Sequence, residues 1–171
     1  MTSKVLQILL VEDDELFRLG LSMRLQQEPG IEVVAEAEDG ETAIELANQQ
    51  AIDVILLDVG LPGIGGIETC EQLQQQHPEL PILVLTSRFR KPLIARLIEA
   101  GIKGYCLKGV KAEALILALR SVAVGLPGGM KPPPRRFNLL FKRAHKLLLF
   151  WQRRKNHRKI HSRGASRKSW Q

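Results

Sequence analysis

Val54-Ile55-Leu56-Leu57-Asp58 is the stretch that decides the fold. Its four apolar residues show no in–out alternation, which is how a short strand covered on both faces reads. The run then stops on an acid. The same grammar recurs along the chain: Ile8-Leu9-Leu10-Val11 runs into Glu12-Asp13, Ile82-Leu83-Val84-Leu85 into Thr86, and Tyr105-Cys106-Leu107 into Lys108. In an open parallel α/β sheet, ligands bind beyond the carboxyl ends of the strands. The repetition therefore predicts a site and the residues that line it.

Around these runs, strands are expected over 6–11, 31–36, 53–58, 82–86 and 104–107. Helical periodicity fills the intervals at 15–27, 41–50, 65–76, 91–100 and 111–123. In the first helix, Leu16, Leu19, Gly20, Met23 and Leu25 form an apolar stripe, and Pro29-Gly30 and Asp39-Gly40 punctuate turns. Five βα units with right-handed crossovers place helices on both faces of one sheet. The expected fold is a doubly wound α/β domain of about 120 residues, large enough for a real core, occupying 1–124.

The formal net charge of +7 conceals a split. Residues 1–124 hold all 18 Asp and Glu against 11 Lys and Arg, a net of −7. Residues 125–171 hold 14 Lys and Arg and no acid, a net of +14. That segment opens on Gly125-Leu126-Pro127-Gly128-Gly129 and continues through Lys131-Pro132-Pro133-Pro134-Arg135-Arg136, which favours extended polyproline geometry. Phe137 to Phe150 has a short basic amphipathic pattern, and Arg153 to Gln171 is polar, basic and expected to be disordered. This basic, Pro-containing tail carries four readings: nucleic-acid phosphates, an acidic membrane face, an intramolecular clamp on the acidic half, or no selected function. Cys70 and Cys106 have neither metal-ligand nor redox spacing, and Cys106 reads as a small core residue. No signal-peptide pattern or membrane-length apolar segment is present, so a cytoplasmic location is expected.

If the first and third strands are neighbours, Glu12, Asp13 and Asp58 converge. Clustered carboxylates repel and need a cation or raised pKa values. An all-oxygen cluster suits Mg²⁺, which takes one or two carboxylates and keeps several waters. Asp58 can then attack phosphorus as an acyl-phosphate nucleophile. Lys108 supplies a point charge for the phosphoryl oxygens, and the Thr86 hydroxyl can donate to them. Asp14 reads as a helix cap, Asp53 as a strand-entry residue and His77 as a surface residue before Pro78. His145, His157 and His161 lack ligand spacing.

This constellation resembles the receiver domain of two-component response regulators over roughly residues 4–124. The resemblance rests on the acidic pair in ILLVEDDELFR, on Asp58, Pro62 and Gly66 in LLDVGLPGIGG, on Thr86 in LTS, and on Tyr105 and Lys108 in GYCLKG. It implies a flavodoxin-like sheet of five parallel strands in the order 2-1-3-4-5. It implies that Asp58 is the phospho-acceptor and Asp13 a direct Mg²⁺ ligand, with Glu12 acting through metal-bound water and the Gly60 carbonyl completing the set. Thr86 and Tyr105 would be the switch pair. The implied partners are a sensor histidine kinase or phosphotransfer protein, and a second copy on phosphorylation. The implied role is a phospho-accepting switch rather than an enzyme. LFRLGL, LPGIGGIE and GYCLKG are similar to the NarL/FixJ-type (LuxR-type) subfamily, whose members usually carry a C-terminal helix-turn-helix. Gly109 stands where many receivers have proline, and Gly60 and Leu61 depart from the commoner methionine pattern.

Two other classes stay in view. One is a nucleic-acid-binding regulator acting through the basic tail, which would bind DNA weakly and without sequence preference. The other is a phosphatase-like hydrolase, disfavoured because Gly60 and not an acid stands two residues after Asp58. The tail itself has no recognisable helix-turn-helix. Reading its codons offset, so that each takes the last base of one and the first two of the next, Met130-Lys131 forces Glu, Phe150-Trp151-Gln152 forces Leu-Ala and Trp170-Gln171 forces Ala. Lys159 to Gln171 then permits Asn-Pro-Leu-Thr followed by Glu-x-Glu-Val-Leu-Ala, which resembles the opening of a LuxR-type helix-turn-helix. The expectation is a frame change near residues 125–127 that replaced the linker and truncated a DNA-binding domain.

Overall fold

The computed structural model describes residues 4–87 and 90–124. The expected tail, 125–171, lies outside the described residues. Strands and helices alternate as β1 (Leu6–Val11), α1 (Glu15–Gln26), β2 (Ile31–Ala37), α2 (Gly40–Gln49), β3 (Val54–Asp58), α3 (Gly65–Gln76), β4 (Ile82–Thr86), α4 (Lys91–Glu99), β5 (Gly104–Leu107) and α5 (Ala112–Ala123). Each bound falls within one residue of the sequence expectation. Among the described residues the strands form one parallel sheet in the order β2-β1-β3-β4-β5. The fold is the doubly wound, flavodoxin-like one.

The apolar runs become the core because both sheet faces are covered. Ile8 to Val11 and Val54 to Leu57 have no exposed surface, and Ile82 to Leu85 have at most 2%. Polar side chains then fix where elements start. Asp14 accepts a hydrogen bond from the Phe17 amide (2.8 Å) and caps α1, while Asp39 accepts from the Thr42 amide (2.7 Å) and caps α2. Asp53 is the expected strand-entry residue: its carboxylate accepts from the Gln7 amide at 3.0 Å and pairs with Lys4 at 2.5 Å, tying the start of β3 to β1. His77 ends α3 half-buried, with Nε2 2.8 Å from Asn48 Oδ1. Cys70 and Cys106 are free and buried, and burial pushes both thiols up to about 12.

One helix turns a different face inward than its stripe suggests. Leu16, Leu19 and Met23 are 80%, 54% and 55% exposed. The buried positions of α1 are Ser22 and Leu25. Ser22 Oγ donates to Glu36 Oε1 of β2 (2.6 Å), and Arg18 pairs with the other oxygen of Glu36 (3.6 Å). A polar seam therefore joins α1 to β2. The apolar stripe is helical, as its spacing requires, but of its members Leu25 alone is buried and Leu16, Leu19 and Met23 face solvent.

Register carries the strand ends to one level. Val11 pairs with Leu57, Asp58 with Leu85, and Thr86 with Leu107. The residues that follow β1 and β5, and the last residues of β3 and β4, therefore meet at the carboxyl edge of the sheet. Among the described residues, no helix is long and apolar enough to cross a membrane.

Candidate functional site

Glu12 leaves β1 with no exposed surface, and Asp58 ends β3 buried. Asp13, the next residue, is exposed. One carboxylate oxygen from each of Glu12, Asp13 and Asp58 lies within 4.8 Å of the others. Lys108 reaches this group from the end of β5, where its amide is held by the Thr86 carbonyl (2.8 Å). Its ammonium donates to Glu12 Oε1 (2.9 Å) and to Asp58 Oδ2 (3.0 Å). Gly109, next in the chain, has φ +94°, a backbone region that favours glycine.

The electrostatics follow from this enclosure. Burial pushes the Glu12 carboxyl above its usual range; the Lys108 hydrogen bond opposes the shift and the Asp58 charge adds to it. Burial disfavours the Lys108 ammonium, yet its bonds to Glu12 and Asp58 outweigh that and hold it above its usual range. One cation thus serves two carboxylates. Glu12 Oε2 lies 2.8 Å from the Lys108 nitrogen as well, so the ammonium spans both oxygens of that carboxylate, and among the described residues no other partner meets Oε2.

A small hard cation fits this donor set. The donors are all oxygen, and three carboxylates face one lysine. Gly60 keeps the space beside Asp58 open: a Cβ there would stand 3.1 Å from Asp58 Oδ2. Gly66 is required for a different reason. A Cβ at that position would lie 2.7 Å from Val59 Cα and 2.8 Å from the Asp58 carbonyl oxygen, so α3 can start against the turn after β3 only without a side chain.

Thr86 ends β4, buried at 4% exposure. Tyr105 is also buried, and its register partner is Val84, two residues before Thr86. Alternation along β4 puts Val84 and Thr86 on one face of the sheet, so Tyr105 shares that face with Thr86. Burial pushes the Tyr105 hydroxyl upward.

Two residues escaped sequence reading. Arg18 Nη1 donates to the Glu12 carbonyl (2.5 Å), fixing the backbone that presents Glu12. Phe17 places its ring 4.7 Å from the Lys108 nitrogen. Their one signal was position, in the first turn of the helix that follows the acidic pair.

A buried carboxylate pair and a lysine thus meet at the carboxyl edge of a doubly wound α/β domain whose sheet runs 2-1-3-4-5. The sequence model of the response regulator receiver domain matches residues 8–120, and the chain belongs to that family of two-component signalling proteins. It is 40% identical to the transcriptional regulatory protein DegU of Brevibacillus brevis over 120 residues, which is 70% of this chain and 51% of that protein. It is 42% identical to the nitrate/nitrite response regulator NarP of Escherichia coli K12 over 119 residues, 70% of this chain and 55% of that protein. The chain spans about half the length of these relatives. A LuxR-family response regulator from Aurantimonas sp. SI85-9A1 superposes with TM-score 0.70 at 29% identity, covering 82% of this chain and 99% of that one. The receiver domain of the response regulator NarL from Mycobacterium tuberculosis gives 0.69 at 25% identity, covering 72% of this chain and all of that one. These relatives bear out the LuxR-type resemblance.

Proposed function

We propose that this receiver is a Mg²⁺-dependent switch of a phosphorelay, with Asp58 as its phospho-acceptor. The observation that carries the reading is the shared ammonium of Lys108 between Glu12 and Asp58. Asp13, Asp58 and the Gly60 carbonyl would hold the cation, and Glu12 would act through its waters. The bound cation would neutralise the charge between Asp58 and an incoming phosphoryl group.

The donor is taken to be a phosphohistidine of a sensor kinase or phosphotransfer protein. An Asp58 carboxylate oxygen attacks phosphorus, the P–N bond to the imidazole breaks, and its electron pair stays on the ring nitrogen. Lys108 remains with Asp58 and neutralises a phosphoryl oxygen. The Thr86 hydroxyl donates to another, and Tyr105, on the same sheet face, repacks as Thr86 moves. The α4–β5–α5 side would reorganise as a population shift, and pairing with a second copy through it is the expected consequence. Residues 1–124 form the receiver unit, and 125–171 a separate basic segment left by a frame change. Control of transcription, named for DegU, is the expected setting. A cytoplasmic location follows from that setting.

Phosphorylation with a labelled small acyl-phosphate donor and Mg²⁺ tests the reading. The full chain should take up label and Asp58→Asn should not, because the amide keeps the volume but is no nucleophile. Stable label on that variant would refute the assignment. The charge of 125–171 favours one second reading, a nucleic-acid contact through the tail. It requires a DNA shift by the full chain with steep salt dependence, and a sequence-specific footprint would exclude a mere polycation.

A further inference from the structure

The ammonium of Lys108 has a third neighbour that the phosphoryl chemistry above leaves unused. The Phe17 ring centroid stands 4.7 Å from the Lys108 nitrogen. Phe17 is 36% exposed, so packing alone gives a weak reason for a large aromatic at that position. Its place is fixed: the Phe17 amide donates to the Asp14 cap at 2.8 Å, which sets the first turn of α1 beside the site. Arg18, its neighbour, anchors the same turn on the Glu12 carbonyl. Lys108 rises from the far side of the sheet order, at the end of β5, on a flexible four-carbon stem. Hydrogen bonds to Glu12 and Asp58 occupy two of its three N–H donors. A ring face within about 6 Å attracts a cation through its quadrupole.

The geometry points to Phe17 as a positioning residue whose ring seats the Lys108 ammonium over the carboxylate pair and so keeps it where the transferred phosphoryl group must be neutralised. Phe17 touches neither donor nor phosphorus; it acts through Lys108. The inference rests on Asp58 being the phospho-acceptor. In the step concerned, the Asp58 oxygen forms the new P–O bond, the acyl donor's P–O bond breaks, and its electron pair leaves with the donor carboxylate. A lysine that spends part of its time in solvent neutralises that transfer less.

Two measurements on the full chain test this. The first is the uptake rate from a small acyl-phosphate donor with saturating Mg²⁺, for wild type, Phe17→Leu and Phe17→Tyr. The leucine keeps apolar bulk without a ring and should be slower by about 2- to 5-fold, the range of a partly exposed cation–π contact; the tyrosine should restore the rate. The second is the NMR shift of the Lys108 ε-methylene protons, without any donor. The ring should move them upfield in wild type and Phe17→Tyr, and the displacement should vanish in Phe17→Leu. A leucine variant as fast as wild type, or lysine signals indifferent to the ring, overturns the proposal. Wild type that takes up no phosphate would instead refute the phospho-acceptor reading, and the lysine signals would still decide whether the seat exists.

Discussion

Lys108 Nζ stands 3.0 Å from Asp58 Oδ2, a contact that spans 50 positions of sequence and joins the end of β5 to the end of β3. Lys108→Met removes the cation that Asp58 shares with the fully buried Glu12. The metal-free protein should lose about 2–3 kcal/mol, below the roughly 3–5 of a wholly buried pair because Lys108 keeps some solvent contact. Mg²⁺ held as proposed should restore much of this, since a ligand of the folded state alone stabilises that state. Thermal melts with Mg²⁺ and with chelator check both statements; a variant as stable as wild type in chelator would contradict them.

Asp13→Ala separates metal binding from folding. Asp13 is exposed, so the metal-free stability should change by no more than about 0.5 kcal/mol. Mg²⁺ affinity should fall about tenfold or more, that is by at least about 1.4 kcal/mol. A metal titration reads it directly, and unchanged affinity would remove Asp13 from the ligands.

The pH limbs have opposite signs. The Thr42 amide bond holds the Asp39 carboxyl below its usual range. Its contribution is therefore present above the unfolded value near 3.8 and lost as pH falls through the lower folded value. Asp39→Asn keeps the cap and should flatten that part of the acid limb, while Asp39→Ala should cost about 0.5–1 kcal/mol at neutral pH. Lys108 behaves inversely: its ammonium is held above 10.5, so its contribution is full below that value and lost as pH rises through the folded one. Denaturant melts across pH measure both limbs.

Gly66→Ala should be costly although it adds one methyl group. Its Cβ would meet the Val59 and Asp58 backbone at 2.7 and 2.8 Å, where no side chain can swing aside. The expected loss is roughly 1–3 kcal/mol, with slower phosphorylation because the turn carries Asp58. Normal stability together with a normal rate would show that α3 can shift without cost.

Residues 1–124 should fold and accept phosphate alone. The ten elements of the described residues and every site residue named above lie within them. Comparing the melting and phosphorylation of 1–124 with the full chain tests this. The coding DNA across residues 120–171 tests the frame change in the same region: an offset frame without the Asn-Pro-Leu-Thr run would dismiss it.

The sheet was legible because burial on both faces leaves an unmistakable signature, four or five apolar residues closed by a polar one. The convergence of Glu12 and Asp58 followed from assigning their runs to neighbouring strands, and Lys108 reaches them from β5, two strands beyond β3. The orientation of α1 was not legible. Periodicity reports that Leu16, Leu19 and Met23 share a face, and it cannot report that Ser22 and Arg18 find Glu36 on β2. Phe17 was hidden for a similar reason, since its contact with Lys108 bridges the first helix and the last strand.

The level meeting of four strand ends makes chain length, alongside residue identity, a property that inheritance must guard. One codon gained or lost inside β3 would turn Asp58 to the opposite side of the sheet. The same event in the connection from His77 to Pro81, at the amino ends of the strands, would leave the carboxyl edge untouched. A shift of reading frame before Lys108 destroys the cluster, whereas one beyond Val124 leaves every member encoded. Mutational accidents of the second kind are those that such a gene can survive with its receiver intact.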